Sequence, residues 1–535
     1  RGLARRLLAS AHEAIDPRIT PCHVDAEKGE PDISSDDQVK NEKFLASQHT
    51  TTADETIYVD FDNDDPHNPA NFSHKRKWAI TFAASFFSIA AASTSGAYAL
   101  GLPSMTRDLN ATQYEAIIGL SMFTLGFGLV PLLLTSFSEE FGRQPIYLVS
   151  GIGCVVFHIM TGLAHNIQTV IIGRFLCGAF ASTASAMVGG TIADIWAPSE
   201  RGLPMSLFAT MVLSGPGVGC VAAGWIEQNP HLEWRWIQYI HAMYLERPVL
   251  AHGPTLMKET RSGVLLMRLA RKLRAQTGNS RYRARIEDER ASLRTLIYIS
   301  CTRPMYLLFT EPVVAAFSLW AGFAWGILYV LIESIGPAFR TIHNFNQGEV
   351  GTVFVAMIVG CLAGELLQIY QEKLYARYHP SKGPEARLFS ACLAAVLSPA
   401  GMFIYGWCTS PSVPWIGMVM GIFVIMMALF IIYVAVFTYL ADWHVSSADA
   451  CVRIDDHYGP FASSALAGQS LSRNMMGTIF PLFTTQLFDA VGYPWGTSLF
   501  AFIGVVMIPI PFVLLWKGPA IRARSKFASQ VVHTP

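Results

Sequence analysis

Runs of about twenty mostly apolar residues recur along this chain, and no other feature limits its fold as strongly. A bilayer offers no water to the backbone, so a spanning segment satisfies itself as a helix of about 20 apolar residues. Eleven runs meet that length, at 78–100, 115–136, 146–164, 168–190, 203–226, 304–333, 350–374, 388–408, 415–440, 461–486 and 494–516. A twelfth is predicted near 237–257, but its content is wrong for a span. Glu246, Arg247, Pro248, His252 and Pro254 place two charges and two prolines where a lipid-exposed helix tolerates neither. Right length with foreign content suggests a compensated frameshift or a gene-model error around 244–256. Charged residues make up 15% of the 535 positions, against about 25% in soluble proteins. The expected class is an all-α membrane protein with its sixth span damaged.

Lys and Arg in the short loops set the orientation. With the N-terminus inside, the inner side carries Lys75, Arg76, Lys77, Arg143, Arg201, the segment 258–303, Lys382, Arg387 and the tail from Lys517 to Lys526. The outer side carries only Arg107, Arg235 and Arg340. Both termini are therefore predicted to be cytoplasmic. The zero net charge hides two opposed segments. Residues 1–74 hold fifteen acidic and seven basic side chains and read as a disordered tail. Residues 258–303 hold twelve basic and four acidic ones. This segment is predicted to form an amphipathic helix with Leu265, Leu266, Leu269 and Leu273 on one face. That helix either lies on an anionic leaflet or belongs to a solvated linker. The layout is then a tail (1–74), an N-terminal membrane half (75–257), a basic loop (258–303), a C-terminal half (304–516) and a second tail (517–535).

Several classes fall away. The nine cysteines are singletons without a Cys-x-x-Cys pair, so no metal site is predicted. The chain has no phosphate loop of the Gly-x-x-x-x-Gly-Lys-Ser/Thr type, which argues against an ATP-driven pump. It shows no catalytic constellation, no cofactor signature and no nucleic-acid-binding charge. The predicted partners are the lipid bilayer, a small-molecule substrate and protons, with the chain a monomer.

The blocks after spans one and seven repeat. Pro103, Asn110, Gln113 and Glu115 recur as Pro337, Asn344, Gln347 and Glu349, 234 residues on, each block just before an even-numbered span. Duplication of a six-helix unit explains both the spacing and the topological place.

Spans two and three are joined by Ser138-Glu139-Glu140-Phe141-Gly142-Arg143-Gln144-Pro145. A tight turn needs Gly, and Arg beside a carboxylate latches helix ends by charge-assisted hydrogen bonds. This loop resembles the signature of the major facilitator superfamily in its fungal form, Ser-Glu-x-x-Gly-Arg-x-Pro. Thr135 stands where the general signature has Gly, and Glu139 where it has Asp. Asp194, at the end of span four, is placed to join Glu139 and Arg143 in that latch. Span five carries Gly215, Pro216, Gly219 and Gly224, which resemble the antiporter motif Gly-Pro-x-x-Gly-Pro-x-x-Gly-Gly, with Cys220 and Ala223 departing from it. Asp64 to Ser73, Thr302-Arg303-Pro304, and Lys258-Glu259-Thr260-Arg261 resemble the fungal twelve-spanning drug:proton antiporters. The resemblance covers about 60–527. It implies the major facilitator fold, two six-helix halves in parallel pseudo-repeat, and export of drugs, polyamines or fungal toxins by alternating access.

Ionisable side chains within spans are functional candidates, because each costs about 2.5–3.5 kcal/mol at the bilayer centre unless it faces a cavity or partner. They are Arg174, Glu311, Glu333, Glu365 and Arg473. The resemblance gives Arg174 a role in proton coupling; the alternative is an Arg paired with backbone carbonyls. Glu365 and Glu311 are the next coupling candidates, Glu311 alternatively capping its Glu-Pro turn. Arg473 is either a cavity residue or the partner of a carboxylate. Trp325 and Tyr329 share a helical face and either stack on a planar or cationic substrate or face lipid.

The predicted function is proton-coupled efflux of small amphipathic or cationic molecules, at the plasma membrane or alternatively the vacuolar membrane. A non-transporting sensor or inactive paralogue is the first alternative, and a nutrient facilitator the second. Residues 442–457 look like an extra block, either retained intron sequence or a real loop.

Overall fold

Hydrophobic runs become helices wherever their length permits. In the computed structural model, which describes residues 56–61, 65–197, 200–251, 258–288, 293–443 and 460–522, nine helices are long and apolar enough to cross a membrane. They are His74–Leu100, Gln113–Leu134, Arg143–Gly162, Ile167–Ile195, Gly202–Gln228, Pro312–His343, Gln347–Trp407, Ile416–Leu440 and Pro481–Ile521. Gln347–Trp407 turns back on itself at Gly383–Arg387, and Pro481–Ile521 kinks at Gly492, where φ is 76°. Pro460–Ile479 leads into Pro481, so each of the eleven predicted runs falls on a helix. Span seven begins earlier than predicted, as Leu293–Thr310, and breaks at Glu311 before Pro312–His343.

The sixth run corrects an expectation. Its backbone is helical over Glu233–Ala251, through Pro248. Pro248 lies in the last turn, where its missing N–H costs a single helical bond. This helix is not among the nine apolar enough to span, in keeping with its charged content. Residues 252–257, most of the 442–457 block and the tail before residue 56 lie outside the described residues.

The repeat is visible in backbone detail. Asn110 and Asn344 both adopt left-handed φ, 49° and 56°. Two residues later Thr112 and Asn346 each open a capping box, with Glu115 and Glu349 reaching back to the cap backbone. Each box satisfies N–H groups that a helix start leaves without an intrahelical partner. One short sequence pattern thus starts spans two and eight in the same way.

Packing joins span one to five and two to four in the first half, and seven to eleven and eight to ten in the second. Between halves, span five lies on span eight and span two on span eleven. Span five makes these contacts through its glycine motif. A Cβ on Gly215 would meet Ala92 Cβ at 2.5 Å, and one on Gly219 would meet the Ser93 carbonyl carbon at 2.7 Å, both in span one. A Cβ on Gly224 would meet Gly351 Cα of span eight at 2.6 Å. The motif therefore serves two neighbours at once, and Cys220 packs against Gly96 of span one.

The basic loop folds on itself. Helix Ser262–Thr277 buries Val264, Met267 and Ala270 against Ala284 and Val59, with Leu266, Leu269, Leu273, Tyr282 and Ile286 around them. The Val59 amide donates to the Arg283 carbonyl at 2.9 Å, and Asp60 lies 3.8 Å from Arg285. The amphipathic helix thus forms; Val264, Met267 and Ala270 are covered by protein, while the predicted face of Leu265, Leu266, Leu269 and Leu273 is only half-buried.

Candidate functional site

The end of the bundle that carries Lys75, Arg76 and Arg143 is here called the basic end. There Gly142 takes φ 91° and ψ 173°, a conformation open essentially only to glycine, and turns the chain into span three. Arg143 follows and is buried. Its Nε donates to Asp194 Oδ2 at 2.5 Å and its Nη2 to Asp194 Oδ1 at 3.3 Å, a bidentate latch between spans three and four. Gly142, Arg143 and Asp194 come together as the sequence suggested; the Glu139 side chain lies outside the described residues. Glu259 completes the latch and was not singled out by sequence reasoning. Its carboxylate, 4% exposed, accepts from the amides of Arg143 (3.0 Å), Gln144 (3.4 Å), Thr260 (3.1 Å) and Arg261 (3.0 Å). A carboxylate thus sits on the N-terminus of span three from 116 residues away, where the helix dipole favours negative charge.

Two guanidinium groups occupy the middle of the bundle. Arg174 is 1% exposed. It donates to the carbonyls of Thr94 (3.2 Å) and Gly119 (3.5 Å) and lies over the rings of Tyr98 (4.3 Å) and Phe123 (4.4 Å). Its Nη2 has no partner among the described residues. Arg473, 4% exposed, lies over Trp325 (4.4 Å) and Tyr433 (5.0 Å), and its Nη2 donates to Ser470 Oγ at 3.4 Å. Neither arginine has a carboxylate partner among the described residues. Among the described residues Arg473 is therefore not half of an ion pair, whereas Arg174 does pair with backbone carbonyls. Trp325 and Tyr329 are buried and pack on Gly477 of span eleven, which overturns the lipid-facing alternative. Tyr329 lies within electrostatic reach of both arginines and beside Ser95 of span one.

The carboxylates divide. Glu365 is half-buried in the seam between halves, where Ser206 and Thr210 of span five donate to it, the latter at 3.5 Å. Glu311 is buried at the break before Pro312, but its side chain caps no helix. Glu333, one turn beyond Tyr329, is 7% exposed; one oxygen accepts from Thr485 and the other has no partner. A further polar chain, invisible in hydropathy, lies behind Arg174. Thr94 Oγ1 is 3.3 Å from His158 Nε2, His158 Nδ1 is 3.0 Å from Gln238 Oε1, and His241 stacks on His158 at 5.7 Å.

The halves are tied at both ends. At the basic end Ser136 bonds Ser300 at 2.8 Å and Ser206 bonds Glu365. At the opposite end Gln347 Nε2 donates to the Leu100 carbonyl at 2.7 Å, Trp225 Nε1 to Thr352 at 3.2 Å, and the Gly348 amide to Gln228 at 3.1 Å.

Apolar helices in two repeated halves, closing over buried polar groups, define a helical membrane transporter. The family model for the Major Facilitator Superfamily matches residues 81–445, and the chain belongs to that superfamily. Its relatives place it with fungal efflux carriers. It is 33% identical to the "Efflux pump radE" of Floropilus chiversii over 88% of this chain and 85% of that one. It is 31% identical to the "Major facilitator superfamily multidrug transporter mdrA" of Aspergillus fumigatus, over 90% and 77%. It is also 31% identical to the "Citrinin biosynthesis cluster MFS transporter mrr1" of Monascus ruber, over 92% and 97%. In fold it resembles the proton:xylose symporter XylE bound to 6-bromo-6-deoxy-D-glucose, with a TM-score of 0.58 at 14% identity, covering 83% of this chain and 96% of that one.

Proposed function

We propose that this transporter exports small amphipathic molecules by alternating access, coupled to protons, with its basic end in the cytoplasm and the plasma membrane as its site. The observation that carries the reading is the buried guanidinium and aromatic centre, with hydrogen bonds between halves on either side of it. Opening one end breaks one set and leaves the other, so the same centre faces each side in turn. Arg174 is the first coupling residue. It contacts spans one and two at once and keeps one N–H unpaired. Glu365 is the carboxylate placed to sense opening of the seam, and Glu311 at the break in span seven is the other coupling candidate. The names of the relatives support efflux.

The test is growth of a pump-deleted yeast expressing the chain or its Arg174→Ala variant, challenged with azoles, polyamines and mycotoxins. Resistance is expected from the chain and not from the variant at equal membrane abundance. Absence of resistance from a membrane-resident chain would overturn export and favour the sensor or inactive-paralogue reading. The charged content of Glu233–Ala251 is the observation on that side.

A further inference from the structure

The wall around Arg473 has a definite electrostatic sign. Arg473 and Trp325 share the wall of a small recess between spans seven, ten and eleven, completed by Ala321, Ala324, Leu429, Ile432 and Tyr433. The buried polar atoms of that wall that lack a partner are both donors, Arg473 Nε and Trp325 Nε1. Arg174 Nη2, across Tyr329 from the recess, is a third unpaired donor. No carboxylate pairs with either guanidinium among the described residues. Around the donors the surfaces are aromatic. The Trp325 and Tyr433 rings stand 6.2 Å apart at 31°, both under the Arg473 guanidinium, and Ala321 and Ala324, on the same helix as Trp325, add small side chains to the wall.

We propose that this recess binds an anionic aromatic substrate, a planar ring system carrying a carboxylate or an acidic phenol. The acid accepts from Arg473 and from Trp325 Nε1, and the ring lies along Trp325 and Tyr433. A buried unpaired guanidinium strongly penalises the approach of a second cation and gains a charge-assisted hydrogen bond from an anion. The cationic branch of the sequence expectation therefore finds no counter-charge in the recess. Glu333, one turn beyond Tyr329 on span seven, is engaged by Thr485 and is not part of this wall.

This inference rests on the export reading only for the direction of transport, so its test is a binding measurement. The full chain, purified in detergent, is equilibrated by dialysis against 2-naphthoate and against its charge-reversed counterpart 2-naphthylmethylammonium. Saturable binding of the acid is expected, at least about 10-fold tighter than the ammonium, with Arg473→Gln removing about 10- to 100-fold of acid affinity. Arg473→Lys keeps the charge and restores part of it. Trp325→Phe keeps the ring, loses one donor and weakens the acid about 5-fold. If Arg473→Gln fails to elute as a monodisperse peak, Trp325→Phe and Ala324→Leu, which fills the recess, carry the test. Preference for the ammonium, no saturable acid binding at millimolar concentration, or acid binding indifferent to these variants would overturn the proposal. Acid binding without resistance in yeast would instead overturn export and leave the site standing.

Discussion

Replacing Gly142 and Glu259 together tests whether the latch at the basic end works as a unit. Glu259→Ala removes a buried carboxylate from four amide donors, two of them in the first turn of span three. A helix N-cap is worth about 1 kcal/mol and hydrogen bonds to a charged group about 1.5–3 kcal/mol, so the loss is about 3 kcal/mol. Gly142→Ala has two costs. Its φ and ψ lie in a region that costs other residues about 1–3 kcal/mol. Its new Cβ would also stand 2.6 Å from the Glu259 carboxyl carbon, which must move off its donors. The second cost is the same loss that Glu259→Ala produces. The double variant is therefore expected to be no less stable than Gly142→Ala alone, a coupling of about 3 kcal/mol. Denaturant midpoints of the four proteins in one detergent read this directly. Additivity within about 0.5 kcal/mol would refute the geometry.

Glu365→Gln keeps acceptors for Ser206 and Thr210 but removes the carboxylate; export is expected to lose its dependence on the pH gradient while the protein stays folded, checked by dye efflux from proteoliposomes. Glu311→Gln, whose side chain caps nothing, is expected to leave thermal stability unchanged by light-scattering melts. In the basic loop the Arg274 guanidinium beside Glu287 holds its carboxyl below the usual carboxylate range. A depressed folded value contributes stability above the unfolded value of about 4.3 that is lost as pH falls through the folded one. Pepsin is therefore expected to cut 262–288 faster as pH drops below about 4, and Glu287→Gln to abolish the difference. Gly224→Val forces a side chain against Gly351 and is expected to hold the end opposite the basic one open, read as faster maleimide labelling of Thr352→Cys.

Much of this was legible beforehand, for reasons that differ by feature. Most helix positions follow from hydropathy, though span seven starts earlier than its apolar run and the charged sixth run is helical. The Arg143–Asp194 latch was legible because both residues sit where spans end, so topology brings them together. Glu259 was noted only as part of a flanking motif, and nothing local reveals that its carboxylate reaches back 116 residues to span three. The shared face of Trp325 and Tyr329 follows from their spacing. Hydropathy cannot say whether that face meets lipid or protein, since both are apolar. The leucine stripe of 262–277 marked an amphipathic helix, but its cover, Val59 included, comes from distant sequence. That no carboxylate among the described residues pairs with Arg174 or Arg473 is a property of neighbours on other helices, so the sign of the recess had no trace in either run.

The contact between Gly224 and Gly351 has a mechanical consequence. Two α-carbons meet there with no side chains between them, and the neighbouring Trp225–Thr352 and Gly348–Gln228 bonds hold the helices at that point, so the contact forms a fulcrum. Ser206 lies eighteen residues back along span five, a lever arm of about 27 Å at 1.5 Å per residue. A roll of about 10° about the glycines then displaces Ser206 by about 5 Å, beyond hydrogen-bond reach of Glu365. If the halves rock as proposed, the basic end opens far more than the fulcrum, and the Ser206–Glu365 and Ser136–Ser300 bonds part with it.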